Sequence, residues 1–229
     1  MKKTVRILLL ALAAALLLSG CFGADPKVER AGKKLMESYL SEHYKRARVG
    51  AYDQLVDRPE GTRLEGTPWV HGDFTADDGT KYYFWVNTAD GSIFTDERKA
   101  ELSAVTAEAL AEALDLPGGS VVAYTYPIPV LADETLHGLL PVDIGDMGRF
   151  LAEALHSEDV MLRITAGGPV ALSEAEAQSL LEGLSGVKLE WHKLDTVPGQ
   201  ADAADYDFWD ALEDTPVRVE TPDYRERAT

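Results

Sequence analysis

The chain has 229 residues and a formal net charge of −17, because 39 acidic residues outnumber 22 basic ones. A surface with this charge repels nucleic acid phosphates and anionic headgroups, which argues against a nucleic-acid-binding protein. The length allows one large domain or two small ones. The single cysteine, Cys21, excludes a disulfide within one chain, so the body must fold on its apolar core alone.

The first 21 residues have the pattern of an export signal. Three basic residues within 1–6 precede an unbroken apolar run over 7–18, and 18–21 reads Leu-Ser-Gly-Cys. The run is about a dozen residues long, shorter than the roughly 20 that a transmembrane helix needs. An ordinary secretory signal and a retained membrane anchor are the two alternative interpretations.

This segment resembles a bacterial lipoprotein signal peptide with its lipobox. The resemblance implies cleavage before Cys21, a diacylglyceryl thioether on its sulfur, and acyl chains such as palmitate in a membrane leaflet. We therefore expect a signal peptide over 1–20, a lipidated tether over 21–27, and a body over 28–229 that faces outside the cytoplasm on the cell membrane. Because the leader carries three basic residues and no acidic one, its removal would take the net charge from −17 to −20.

The body begins with a helix and continues with strands. Apolar residues at helical spacing over 28–43 predict the first helix. A weak strand is expected over 49–56 and a better one over 69–75. Strands over 81–87 and 92–95 flank the turn Asn-Thr-Ala-Asp-Gly, whose residues tolerate or need positive φ, which predicts a β-hairpin.

The hairpin supplies the candidate ligand-binding residues, Tyr83 and Trp85, with Trp69 and His71 on the preceding strand. Alternation along the strand places the opposite set of side chains on the other face: Tyr82, Phe84 and Val86. An uncovered Tyr83–Trp85 pair could stack on a sugar or a peptide, whereas a covering layer would make it part of a core. His71 shares its face with Asp73, and the two could bind a metal or move protons; a solvated strand face is the other interpretation.

The segment 83–93 also resembles the closing hairpin of PepSY-like domains. It has aromatic and Val residues, an Asn-x-x-Asp-Gly turn and then Ile93. PepSY-like domains are implicated in binding or restraining other exported proteins, so the resemblance implies a binding role.

The second half alternates helices and strands. Helices are predicted over 96–114, 143–155 and 173–184, and strands over 121–126, 160–165 and 187–192. The acidic segment 198–229 is expected to dock as one helix through about Glu213, followed by a short strand at Val217 and Val219 and a frayed end after Tyr224. The body is thus α+β, with mixed, largely antiparallel sheets and packed helices, and could divide into subdomains over 28–116 and 120–229.

The motifs favour binding over catalysis. No nucleophile elbow, P-loop or dinucleotide fingerprint is present, and the five histidines fall on different elements without the spacing of a zinc site. His156 and His192 are expected to be exposed structural residues. We predict no catalytic residue, no metal and no cofactor.

Three functional hypotheses follow from these features. The first is a non-catalytic binding module anchored through Cys21, with a protein, peptide or glycan partner and no nucleic acid. The second is a lipid-anchored hydrolase acting on envelope polymers, and the third is a structural envelope protein. A pocket with converging carboxylates or histidines would favour the enzyme, and an aromatic patch or open sheet edge would favour the binder.

Overall fold

A computed structural model describes residues 24–57, 65–131, 135–212 and 215–227. The chain divides into two compact units, the first ending at Phe94 and the second beginning at Thr95. This division lies earlier than the subdomain boundary expected near 116–120. Cys21, the expected signal peptide and the start of the tether lie outside the described residues, and so does Glu213.

The first unit contains one helix and an antiparallel meander. Helix α1 is Pro26–His43, and the strands follow in the order β1 (Arg48–Asp57), β2 (Glu65–Thr75), β3 (Lys81–Asn87) and β4 (Ile93–Thr95). The sheet order β1-β2-β3-β4 is the chain order, as short connections between antiparallel strands produce. The predicted helix and hairpin are therefore confirmed.

Helix α1 covers one face of this sheet. Asp25 caps the helix by accepting a 2.8 Å hydrogen bond from the Lys27 backbone, and Pro26 follows where a missing N–H costs nothing. Gly32 lets the helix approach closely, because a Cβ there would lie 2.6 Å from Val70 Cβ. The core beneath the helix consists of Met36, Leu40, Phe74, Phe84 and Val86.

The second unit alternates helices and strands as predicted. Its helices are α2 (Lys99–Ala113), α3 (Met147–Ala154), α4 (Glu174–Leu180), α5 (Gln200–Ala203), α6 (Tyr206–Asp210) and α7 (Pro222–Arg227). Its strands are β5 (Val122–Pro129), β6 (Leu140–Pro141), β7 (Val160–Gly168), β8 (Val187–Lys193) and β9 (Val217–Glu220). Four of them form a sheet in the order β5-β7-β8-β9, in which only β7 and β8 are parallel, joined through α4. The expected α+β class with largely antiparallel sheets is confirmed.

The two faces of this second sheet are covered differently. Helices α2, α3 and α4 bury one face over a core that includes Leu102, Leu151, Leu162, Leu189 and Trp191. On the other face, α5 and α6 pack at one end through Val122, Ala203 and Trp209, and Tyr224 of α7 packs with Ile128 and Met161 at another. The middle of this face stays open between the two small clusters.

The described part of the C-terminal segment contains short helices and a strand, and it is not the single helix that its spacing predicts. The helix is interrupted at Asp205. The extended backbone of this residue caps α6, and its side chain accepts a hydrogen bond from the Asp207 backbone N–H. Trp209 is buried and its indole N–H donates to the Ala203 carbonyl across the break at 2.7 Å. Beyond the predicted short strand, the segment adds helix α7, in which Tyr224 is buried.

His192 differs from its prediction. It is only 3% exposed, since its ring lies 5.4 Å from that of Trp209 and α6 covers it. His156, in contrast, is exposed as expected and its ring Nδ1 lies 3.0 Å from the Gly183 carbonyl. Within the described ranges, no helix combines the length and apolarity that crossing a bilayer requires.

Candidate functional site

The open middle of the second sheet contains a cavity of about 420 Å³. This volume lies in the range of small-molecule sites. We call it the tyrosine pocket, and the side chains that give it its character are Tyr124, Tyr126, Tyr206, Arg163, Lys188 and Glu190.

Strand alternation explains why these side chains share one face. On β5, Val122, Tyr124 and Tyr126 face the open side, while Ala123 packs against the helices. Tyr206 comes from the start of α6, which the Trp209 anchor holds over the sheet. Strands β7 and β8 contribute every second residue in the same way.

The register brings the pocket residues into two rows across the sheet. The first row is Tyr126, Arg163, Lys188 and Glu220. The second row is Tyr124, Thr165, Glu190 and Arg218. Facing side chains in such rows are close enough to act on one ligand.

The tyrosines form an aromatic wall. The Tyr124 and Tyr126 rings stack with centroids 6.3 Å apart at 27°, and Tyr206 lies 5.5 Å from Tyr124 at a steeper angle. Gly138 lets the turn after β5 approach, because its φ is 75° and a Cβ there would lie 2.7 Å from Tyr126 Cε2. His137, next to Gly138, thereby reaches the edge of the pocket.

Burial makes the two tyrosine hydroxyls of β5 weaker acids than an ordinary tyrosine. It raises the pKa of Tyr124, and the neighbouring Tyr206 and the carboxylates of Asp205 and Asp96 raise it further. Burial also raises the pKa of Tyr126, although Lys99 and Arg163 oppose this. Both phenols are therefore hydrogen-bond donors at neutral pH.

Glu190 is the carboxylate among the described pocket residues, and Arg218 is its cationic partner. Arg218 donates to it from Nε at 2.8 Å and Nη2 at 3.2 Å, and His192 Nε2 lies 3.4 Å away. Burial alone would raise the pKa of Glu190, but the Arg218 hydrogen bonds outweigh it and the pKa is lowered. Glu190 is thus an ionised, paired group rather than a proton donor.

The two cations of the first row have a different environment. Arg163 donates from Nε to the Tyr224 hydroxyl at 2.5 Å, and neither Arg163 nor Lys188 forms an ion pair with a described carboxylate. The register places these cations side by side on paired strands. Two adjacent cations therefore lie at the end of the pocket away from Tyr124, with Glu220 beyond Lys188 on β9.

The residues predicted as a ligand site lie together in the first unit. His71 faces Trp85 across β2 and β3, with ring centroids 5.4 Å apart, and Tyr83 is 59% exposed. The expected alternation is confirmed, because Phe84 and Val86 are buried on the opposite face. Asp73 pairs with Lys81 at 3.1 Å. Tyr83, Trp85 and His71 are therefore a second aromatic surface.

Trp69 does not belong to that surface. It is 1% exposed, with its ring 6.1 Å from those of Trp85 and Phe94. A ring with no exposed face cannot stack on a ligand, so the prediction that Trp69 contacts one is wrong in this conformation. Its bulk supports Trp85 instead.

Sequence reasoning missed the tyrosine pocket although it identified most of the strands. The alternation of Arg163 and Thr165, and of Lys188 and Glu190, was visible but is typical of any solvated strand face. The missing information was pairing order: the sequence does not reveal that β7 lies between β5 and β8. The pair Tyr124 and Tyr126, two apart in a predicted strand, was the one available signal.

Across the residues that the structure describes, no group of three or more His, Cys, Asp or Glu side chains could hold a metal ion. No protein-family model, curated protein or solved structure matches the chain.

Proposed function

We propose that the protein is a lipid-anchored extracytoplasmic binding module whose ligand occupies the tyrosine pocket. The observation that carries the proposal is the pocket itself, in which three tyrosine rings line one concave surface with two cations that form no ion pair with a described carboxylate. Concave sites that combine aromatic faces with a few polar groups are typical of small-molecule binding. The expected Cys21 anchor would hold this pocket beside a membrane, on the outer side.

The pocket chemistry favours binding over hydrolysis. Most glycoside hydrolases need two carboxyl groups, one of them poised to donate a proton. Glu190 is the one carboxylate among the described lining residues, and Arg218 keeps it ionised. His137 is the one lining histidine there, and no serine or cysteine lies beside it in that lining.

Two exposed tyrosines provide a matched test. Tyr206 is 53% exposed at the pocket and Tyr83 is 59% exposed in the first unit, so neither replacement by alanine should impair folding. The full chain in detergent is mixed with glucose, N-acetylglucosamine, glucuronate and trialanine, and saturation-transfer NMR identifies which compounds bind. We expect at least one to bind, with Tyr206→Ala reducing its affinity about fivefold or more and Tyr83→Ala leaving it unchanged.

Two results would contradict the proposal. If none of the four compounds binds, the pocket is not a site for this class of ligand. If Tyr83→Ala abolishes binding while Tyr206→Ala retains it, the ligand site is the surface of Tyr83, Trp85 and His71 instead.

A further inference from the structure

We infer that the tyrosine pocket recognises a carboxylated sugar, whose carboxylate lies between Arg163 and Lys188 and whose ring packs on the tyrosines. The inference rests on the proposed function, and it adds the chemical class and the orientation of the ligand.

The first argument is charge. Acidic residues outnumber basic ones 39 to 22 in this chain, and several of the described basic side chains form an ion pair with a carboxylate. Arg98, Arg149 and Arg218 each have one, at 2.7 to 2.8 Å. Arg163 and Lys188 lie side by side on β7 and β8, where like charges repel, and Glu220 opposite Lys188 on β9 offsets this repulsion in part. An anionic ligand between them would remove that repulsion.

The second argument is donor geometry. The Arg163 guanidinium is tied to Tyr224 through Nε alone, and no described acceptor takes its Nη groups. A guanidinium held at one end presents its remaining donors in a fixed plane, which suits the two oxygens of a carboxylate. Lys188 adds a flexible point charge. Tyr126 faces Arg163 across the register and carries a protonated hydroxyl that can donate to the same anion.

The third argument is orientation. The Tyr124 end of the pocket carries charges of both signs, because Lys99 Nζ lies 5.4 Å from the Tyr124 ring while Asp96 and Asp205 act on its hydroxyl. The other end has the two adjacent cations Arg163 and Lys188. Glu190 lies between, with its charge offset by Arg218. A ligand with one negative end and a neutral ring is therefore expected to place its negative end at the paired cations Arg163 and Lys188.

The fourth argument is the ring partner. The stacked rings of Tyr124 and Tyr126, with Tyr206 beside them, present apolar faces edged by hydroxyls. Such faces suit the C–H face of a sugar ring, while the hydroxyls and Thr165 can bond its hydroxyl groups. The volume of about 420 Å³ has room for a small saccharide.

The test compares ligands that differ only in charge. The full chain in detergent is titrated by calorimetry with glucuronate, with glucuronamide as the neutral isostere, and with glucose, at low ionic strength. We expect glucuronate to bind about tenfold or more tightly than either neutral sugar. Lys188→Gln and Arg163→Gln should each lower glucuronate affinity about 10- to 100-fold, as loss of a charged hydrogen bond does, and leave the neutral sugars unchanged.

Arg149→Gln is the matched control. Arg149 is an exposed cation on α3, which packs on the opposite face of the same sheet, and its removal changes net charge equally. Because Arg163 contacts Tyr224, thermal melting is used to check that the Arg163→Gln variant is folded. If it is not, the glucuronate affinity of Lys188→Gln tests the inference. The inference would be overturned if glucuronate and glucuronamide bound equally well, or if Lys188→Gln and Arg149→Gln had equal effects. In either case the proposed function would still stand if a sugar bound with an affinity that depended on Tyr206. Failure of all three ligands would overturn the inference, and the proposed function would fall with it only if N-acetylglucosamine and trialanine also failed to bind.

Discussion

Gln200 protects the open edge of the second sheet. Strand β5 is an edge strand, and the backbone of Ala123 points away from its partner β7. The Gln200 amide accepts from the Ala123 N–H at 3.0 Å and donates to its carbonyl at 2.7 Å, as a further strand would. Ser103 Oγ accepts the Thr125 N–H in the same way at 2.9 Å. The edge is therefore closed by side chains, which blocks pairing with another chain.

Replacing Gln200 by alanine should destabilise the second unit by about 1–3 kcal/mol, because it leaves the buried Ala123 donor and acceptor without partners. Urea unfolding followed by far-UV circular dichroism measures this loss. Gln178→Ala is the control, since Gln178 is exposed on α4 and should change stability little. Equal stability of the two variants would mean that water replaces the Gln200 amide at no cost.

At the scale of elements, Asp223 fastens α7 to the loop that precedes β8. Its carboxylate accepts a hydrogen bond from the Ser185 hydroxyl and a 2.6 Å bond from the Gly186 backbone. Burial alone would raise the pKa of Asp223, but the hydrogen bonds from Ser185, Thr221 and Gly186 outweigh it and lower the pKa to about 2. The ionised group therefore holds the C-terminal helix against the start of the parallel strand.

A lowered pKa of about 2 in the folded state gives stability a defined pH dependence. In the unfolded chain an aspartate has a pKa of about 3.9. The contribution of Asp223 to the free energy of unfolding is therefore complete above that pH and is lost as the pH falls from about 4 to 2. Asp223→Asn should lower the free energy of unfolding at pH 7, and its difference from wild type should shrink towards pH 2.

Denaturant titrations at pH 7, 4 and 2.5 measure this difference, with Asp210→Asn as the control. Asp210 is exposed at the end of α6, and its replacement should give a small effect without this pH dependence. A difference between wild type and Asp223→Asn that stays constant over the whole range would contradict a role for the ionised carboxylate.

The elements also show how far the sequence predicts this structure. The β3–β4 hairpin follows from local chemistry, since Gly91 adopts φ 83° and its N–H donates to the Asn87 carbonyl at 2.8 Å. The break between α5 and α6 does not, because helical spacing of apolar residues continues through Asp205. That break depends on Trp209, whose N–H needs the Ala203 carbonyl once the ring is buried.

The tyrosine pocket could not be predicted, because it depends on long-range pairing. Alternation assigns Tyr126, Arg163 and Lys188 each to one face of its own strand, but it does not state which strands are neighbours. The antiparallel β5–β7 pair and the parallel β7–β8 pair bring them into one row. The burial of His192 also depends on long-range packing. Its position on an alternating strand predicts an exposed side chain, but α6 packs over it.

At the scale of the whole molecule, charge and anchor act in opposite directions. Removal of the expected leader would leave a net charge of −20, which is repelled by an anionic membrane surface, so the expected acyl chains must supply the attraction. Helix α1 begins at Pro26, which leaves only residues 21–25 between the expected lipid and the first folded element. Five extended residues span at most about 18 Å. An anchored body would therefore stay within roughly this distance of the leaflet, where small envelope saccharides are accessible to it.

Replacing Cys21 by serine tests the anchor. A hydroxyl cannot form the thioether, so the variant should lose labelling by a clickable fatty acid during expression in a bacterial host. Without acyl chains the acidic body has no attraction to the leaflet. The variant should therefore either remain an uncleaved precursor or leave the detergent-rich phase on Triton X-114 partitioning. Wild type should enter that phase. Serine differs from cysteine by one atom in a segment outside the described residues, so circular dichroism of the two proteins should agree. Equal labelling of wild type and Cys21→Ser would show that acyl groups, if present, are attached elsewhere, and the membrane location would then need another cause.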